Sequence, residues 1–256
     1  MLAIVVGGSG GIGSALVTQL RQQPDITAVI ASYFQSDVAD PSKSATPPEP
    51  PQESELALLY SCQLDATDEA SVKNFADFAA RYVDHARPIK YLINCIGVLH
   101  TPELQPEKSI RNVDPRNLQQ AISINSLPTL LLAKYLGPLL KSNTPCLFTT
   151  VSARVGSISD NRLGGWYSYR MSKAALNQAL KCLAIEWQRA ATNVIVVALH
   201  PGTTATALSE PFQANVPAGK LFTTAKTAGL LLQVLNSLQH SDSGKFLAYD
   251  GTEIGW

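Results

Sequence analysis

Apolar residues fall along this chain in short unbroken runs, separated by longer stretches in which they recur every three or four positions. An unbroken run of five or six reads as a strand buried on both faces, and a stretch of the second kind reads as an amphipathic helix. This pattern predicts strands at Leu2–Val6, Thr27–Ala31, 58–62, Ile89–Cys95, Cys146–Val151, Val194–Leu199 and Phe246–Ala248. It predicts helices over Ile12–Gln23, Glu69–Tyr82, 115–141, 167–190 and 224–238. Strand and helix alternate throughout, the signature of an α/β protein. The expected architecture is a single doubly wound Rossmann-type domain over residues 1–256, with a parallel sheet of about seven strands covered by helices on both faces.

Two segments break the pattern. Residues 35–55 hold five prolines and almost no apolar side chains, which predicts a flexible surface loop between the second and third strands. Residues 203–222 have no clear period and follow a Pro-Gly turn, as expected of a substrate lid. Hydrophobic residues make up 45% of the chain and the formal net charge is zero, so charge-driven partners such as nucleic acid or a membrane surface are not expected. The opening M-L-A-I-V-V-G-G runs directly into a glycine turn and reads as a buried strand rather than a secretory leader; a cytoplasmic protein is expected. Cys62, Cys95, Cys146 and Cys182 lack metal-ligand spacing and read as buried thiols, with no metal site.

Candidate chemistry lies at two places. Gly7, Gly8, Gly10, Gly11 and Gly13 crowd the junction between the first strand and the first helix. There, Gly7 allows a tight turn, Gly11 the approach of a pyrophosphate, and Gly13 close helix–strand packing, while Ser9, Gly10 and Ile12 complete the cradle at the helix N-terminus. A plain βα turn would not need so many glycines. Further on, Tyr169 and Lys173 stand four residues apart on a helix, so both lie on one face and the ammonium can sit near the phenol oxygen. Tyr167 has Met171 at the same offset and lacks such a partner. The second strand ends in Ile30-Ala31-Ser32-Tyr33-Phe34 without the carboxylate that an NAD site places there, and Ser32 offers a hydroxyl to a 2′-phosphate. NADP(H) is therefore expected in preference to NAD(H).

With these residues, the chain resembles the short-chain dehydrogenase/reductase family of the classical type over nearly its whole length. Besides Gly7–Gly13 and the Tyr169–Lys173 pair, Leu64-Asp65 resembles the segment whose aspartate holds the adenine ring. Asn94-Cys95-Ile96-Gly97 resembles the segment lining the adenosine side, and Pro201-Gly202-Thr203-Thr204-Ala205-Thr206 the segment at the nicotinamide end. The stretch G-G-W-Y-S-Y-R-M-S-K-A-A-L and the closing Y-D-G-T-E-I-G-W look most like the C-factor-like carbonyl reductase branch.

The resemblance implies hydride transfer between a nicotinamide and a carbonyl or secondary-alcohol carbon. Tyr169 would be the acid/base, the Lys173 ammonium and the positive nicotinamide of the oxidised cofactor would lower its pKa, and Lys173 would also bind the nicotinamide ribose. Asn125 falls where the family carries an Asn that orders a water relay, and a helix distortion is expected near it because Pro128 follows. Asp65, Asn94, Ile96, Gly97, Pro201, Gly202 and Thr204 would contact the cofactor. Homodimers or homotetramers are implied, through the long helices. The family's substrate-orienting serine stands three residues before a glycine, yet that register to Gly156 falls on Ala153. Ser152, one residue earlier, is the expected replacement, with Ser157 or a water as alternatives. Arg154, Asp160, Asn161 and Arg162 read as organisers of the loop above the site, and His200 as a packed or hydrogen-bonded side chain. Trp166 with Leu208, Phe212, Val216 and Phe222 suggests a substrate with an apolar part. An NADP(H)-binding regulatory protein with little turnover is the alternative; a methyltransferase would leave Tyr169, Lys173 and Asn125 unexplained.

Overall fold

The computed structural model describes residues 1–34, 56–190 and 193–256; the proline-rich stretch 35–55 lies outside the described residues. The first half runs β1 (Leu2–Val6), α1 (Gly11–Leu20), β2 (Ala28–Tyr33), β3 (Leu58–Gln63), α2 (Glu69–Ala80), β4 (Ile89–Asn94), α3 (Pro115–Asn125) and α4 (Leu127–Leu136). The second runs β5 (Cys146–Val151), α5 (Tyr167–Arg189), β6 (Val194–His200), β7 (Thr203–Thr204), β8 (Leu221–Phe222), α6 (Thr224–Ser237) and β9 (Phe246–Ala248).

Seven strands form one sheet in the order β3-β2-β1-β4-β5-β6-β9, every neighbouring pair parallel. Alternate residues of each strand feed opposite faces. Ala3 and Val5 of β1 join Leu16 and Leu20 of α1 and Leu231 and Leu235 of α6 on one side. Leu2, Ile4 and Val6 join Phe75 of α2, Leu132 and Leu136 of α4, and Leu176 and Leu180 of α5 on the other. All five residues of β1 are inaccessible to solvent, which is why its sequence is apolar without alternation. The strand order reverses between β1 and β4, and the crevice at the carboxyl ends of strands around such a reversal is where open α/β sheets bind ligands.

The single helix expected over 115–141 is instead three pieces: α3, α4 and a 3₁₀ turn at Gly137–Leu140. Pro128 has no N–H to offer the carbonyl of Ile124, and the chain departs from helical geometry at Ser126 (φ −117°, ψ −49°). Thr129 N–H turns to Ser126 O (3.2 Å), leaving the carbonyl of Asn125 without that donor. Ser126 Oγ secures the break by donating to Ser172 O of α5 (2.7 Å). The segment after β6 is also more ordered than its sequence suggests: β7 and β8 pair at its base, and a 3₁₀ helix spans Glu210–Asn215. Among the described residues no helix is long and apolar enough to cross a membrane.

Candidate active site

The glycine turn joins β1 to α1. Gly7 adopts φ +78°, and a Cβ on Gly13 would lie 2.1 Å from Gly7 O, so α1 can leave the strand at this distance only with glycine there. Ser32 was expected to meet a 2′-phosphate. It is instead 3% exposed, and its Oγ accepts the Gly7 N–H at 2.9 Å, bracing the turn from β2. α1 has no side-chain cap and no acidic residue in its first turn. The backbone N–H groups at Gly11, Ile12 and Gly13 therefore form an uncapped donor set that fits a pyrophosphate.

Tyr169 and Lys173 occupy the first turns of α5 and line a cavity of about 320 Å³ at the carboxyl end of the sheet. The Lys173 Nζ donates to Val151 O (3.1 Å) and lies 5.9 Å from the centre of the Tyr169 ring. The phenol hydroxyl makes no hydrogen bond with a described residue and is not among the sealed, orphaned polar atoms. Burial pushes the Tyr169 hydroxyl above the ordinary tyrosine range. Burial also lowers Lys173 to about 8, with Cys95 pulling weakly the other way. Desolvation thus opposes the lowering of the phenol pKa expected from the Lys173 ammonium and the positive nicotinamide of the oxidised cofactor.

Asn125 meets this pair through the β4 loop. Its Oδ1 accepts Val98 N–H (2.7 Å), and its Nδ2 donates to Val98 O (2.9 Å) and Ser172 Oγ (2.8 Å). A Cβ on Gly97 would lie 3.2 Å from Lys173 Nζ and 3.4 Å from Asn125 Oδ1, so the two side chains converge on that glycine.

The start of α5 is held by a residue that the sequence did not single out. Trp166 precedes the helix in a left-handed conformation (φ 51°, ψ 43°) and provides no side-chain cap. Glu107, 3% exposed, takes over: its carboxylate accepts from Ser168 N–H (3.1 Å) and from Ser168 Oγ, and its carbonyl accepts Trp166 N–H (2.5 Å). A carboxylate at a helix N-terminus is stabilised by the unpaired N–H groups there. No local pattern marks Glu107, since its partners are about sixty residues away.

Other expected residues divide. Ile12, Ile96, Gly97, Pro201, Gly202 and Thr204 line the cavity. The Thr204 hydroxyl, however, is bonded to Thr227 Oγ1 (2.8 Å). Asn94 turns inward: Nδ2 donates to Thr129 Oγ1 (3.2 Å) and Oδ1 accepts Ile96 N–H (3.0 Å), so its side chain shapes the β4 loop. Asp65 borders a second depression with Phe34, Gln63, Ser71 and Asn74, its Oδ1 held by Thr67. Ser9 and Gly10 are exposed at the tip of the turn.

Ser152 lines the cavity by position, but its hydroxyl donates to Asn177 Oδ1 (2.6 Å) and the residue is 2% exposed, so the hydroxyl is directed into α5. Ser157 is likewise buried, donating to Gly255 O. Trp166, Leu208, Phe212 and Val216 form an apolar wall, with the indole 5.0 Å from the Phe212 ring and 6.2 Å from Tyr169. Phe222 does not line the cavity and packs instead 4.9 Å from the Tyr249 ring. Of the four cysteines only Cys146 is a buried residue, while Cys182 is exposed. Among the described residues no group of three His, Cys, Asp or Glu side chains could hold a metal ion.

A doubly wound sheet, an uncapped glycine-lined helix start at its switch point and a Tyr-x-x-x-Lys pair beside it define a dinucleotide-dependent oxidoreductase. The family described as short chain dehydrogenase matches residues 1–217, and the chain belongs to it. It is similar to 1-hydroxy-2-glutathionyl-2-methyl-3-butene dehydrogenase of Rhodococcus sp. (strain AD45), at 29% identity over 99% of this chain and 98% of that one. It is also similar to the C-signal of Myxococcus xanthus, at 31% identity over 66% of this chain and 93% of that one, in keeping with the branch expected from the sequence. Among solved structures, an NADPH-bound carbonyl reductase from chicken fatty liver superposes with a TM-score of 0.80 at 25% identity, covering 100% of this chain and 94% of that one. The carbonyl reductase Sniffer of D. melanogaster shares the fold, with a TM-score of 0.79 at 23% identity and coverage of 100% and 98%.

Proposed function

We propose that the protein transfers hydride between NADP(H) and a carbonyl or secondary-alcohol carbon of a partly apolar small molecule, with Tyr169 as the acid/base. The observation that carries this reading is the Tyr169 phenol: it lines the cavity without a hydrogen-bond partner among the described residues, one helical turn from Lys173. The N–H groups of Gly11–Gly13 would hold the pyrophosphate, Asp65 the adenine side, Lys173 the nicotinamide ribose, and Pro201–Thr204 the nicotinamide end. When bound, the reduced cofactor supplies hydride to the carbonyl carbon. As the carbonyl electron pair moves onto oxygen, Tyr169 Oη gives its proton to that oxygen. Burial favours the protonated phenol, which suits this acid role. The phenolate left behind is stabilised by the Lys173 ammonium. The Asn125 carbonyl, left without Thr129 N–H at the helix break, supports a water relay that returns the proton.

The wall of Trp166, Leu208, Phe212 and Val216 favours a substrate with an apolar part, and segment 203–222 would act as its lid. The absence of a carboxylate in Ile30–Phe34 and the NADPH bound in the chicken relative support NADP(H) over NAD(H). The engagement of Ser152 by Asn177 favours one other reading, an NADP(H)-binding regulator with little turnover. Steady-state NADPH oxidation over a panel of aldehydes, ketones and quinones, with NADH in parallel, separates them. Turnover of apolar carbonyls at a lower KM for NADPH is expected. Tight binding without turnover would select the regulator, and a lower KM for NADH would overturn the cofactor preference.

A further inference from the structure

The loop after β5 presents Ala153 where a substrate-orienting hydroxyl is expected, and both neighbouring serines are engaged elsewhere: Ser152 with Asn177 and Ser157 with Gly255. His200, the last residue of β6, stands against this same loop. Its Nδ1 lies 3.3 Å from the backbone N of Arg154, one peptide bond from Ala153, and accepts that N–H. A neutral imidazole carries a single N–H, so an acceptor at Nδ1 puts the proton on Nε2. Nε2 makes no hydrogen bond to a described residue and is not among the sealed, orphaned polar atoms, while the residue lines the cavity that holds Tyr169 and Lys173. Pro201–Gly202 follows directly, so the ring sits at the nicotinamide end.

Burial first, then the Arg154 guanidinium, lower the imidazole pKa to about 4 against the weaker pull of Asp250 and Asp160, so the ring is neutral at working pH. The Arg154 guanidinium, the cation nearest this loop, is drawn away to pair with Asp160 (3.2 Å).

We propose that His200 Nε2–H is the hydrogen-bond donor to the substrate's carbonyl oxygen, standing in for the serine hydroxyl that this chain lacks. The assignment rests on the hydride-transfer reading above. His200 transfers no proton in it. It orients the oxygen toward Tyr169 Oη and stabilises the negative charge that grows there during hydride transfer.

The test compares wild type, His200→Ala, Ser152→Ala and the double variant His200→Ala/Ala153→Ser, using NADPH and a carbonyl that the wild type reduces. NADPH affinity is measured for each by fluorescence titration. His200→Ala is expected to lower kcat/KM by on the order of 10²-fold while NADPH affinity stays within about twofold. Adding Ala153→Ser should recover about tenfold or more, because a hydroxyl returns to the same wall. A purely structural histidine would not be rescued by that serine, so absence of recovery overturns the assignment. So does wild-type kcat/KM in His200→Ala, or a larger loss in Ser152→Ala than in His200→Ala. Should His200→Ala not fold, His200→Met fills the ring volume without a donor and is read in its place. Absence of carbonyl turnover in the wild type would remove the hydride-transfer reading and this assignment with it; wild-type turnover with an indifferent His200 would remove this assignment alone.

Discussion

Tyr169, Lys173 and His200 share one cavity, and burial acts on each in the direction of its neutral form. For the tyrosine this favours a proton donor, and for the histidine it preserves a fixed tautomer. His200 also makes a prediction in pH. Its pKa is 6.5 in an unfolded chain and about 4 in the fold. Between these values the unfolded chain binds a proton that the folded chain does not. The stability tied to this ring is therefore fully present above pH 6.5 and is lost as pH falls toward 4. Chemical denaturation across that window should give a steeper loss for the wild type than for His200→Met; parallel curves would contradict a buried neutral imidazole. The glycine turn and the Tyr-x-x-x-Lys spacing were legible in the sequence because both are local. The directions of Ser152 and Ser32 were not, since their partners, Asn177 and Gly7, are 25 residues away in each case and are met only after folding.

Helix α5 is the element that turns these residues into a site. Its N-terminus is fixed by Glu107 from the β4–α3 connection, and its inner face rests on the turn at Arg154–Gly156. A Cβ on Gly156 would lie 2.8 Å from both the carbonyl carbon and Cβ of Lys173. Gly156→Ala must therefore push the helix at the Tyr169–Lys173 pair. It is expected to destabilise the fold by about 1–3 kcal/mol and to lower kcat by on the order of 10²-fold through misplacement of Tyr169 and Lys173. Thermal melts and single-turnover rates check this; an unchanged rate would mean that the turn and the helix are not in register as described. The break between α3 and α4 was signalled by Pro128, but not its consequence. Only the packed structure brings Asn125 against Val98 and Ser172. The pairing of β7 with β8 left no sequence signal because two-residue strands have no period to read.

At the scale of the molecule, the sheet was readable because strands buried on both faces must be continuously apolar, as β1, Ala28–Ala31 of β2 and Val194–Leu199 of β6 are. That continuity predicts parallel strands and helical cover, and the switch point between β1 and β4 then gathers the glycine turn, the β4 loop, α5 and the Pro-Gly turn around one crevice. Substrate identity belongs to the apolar wall and lid, where side chains from distant segments meet and no spacing rule applies. The central claim is that this crevice binds NADP(H) and uses the Tyr169 phenol to move a proton. The most direct measurement is NADPH affinity and carbonyl reduction in Tyr169→Phe beside the wild type. The account predicts cofactor affinity within about twofold of wild type and kcat/KM lower by on the order of 10²–10⁴-fold. Carbonyl reduction at the wild-type rate in Tyr169→Phe would contradict it.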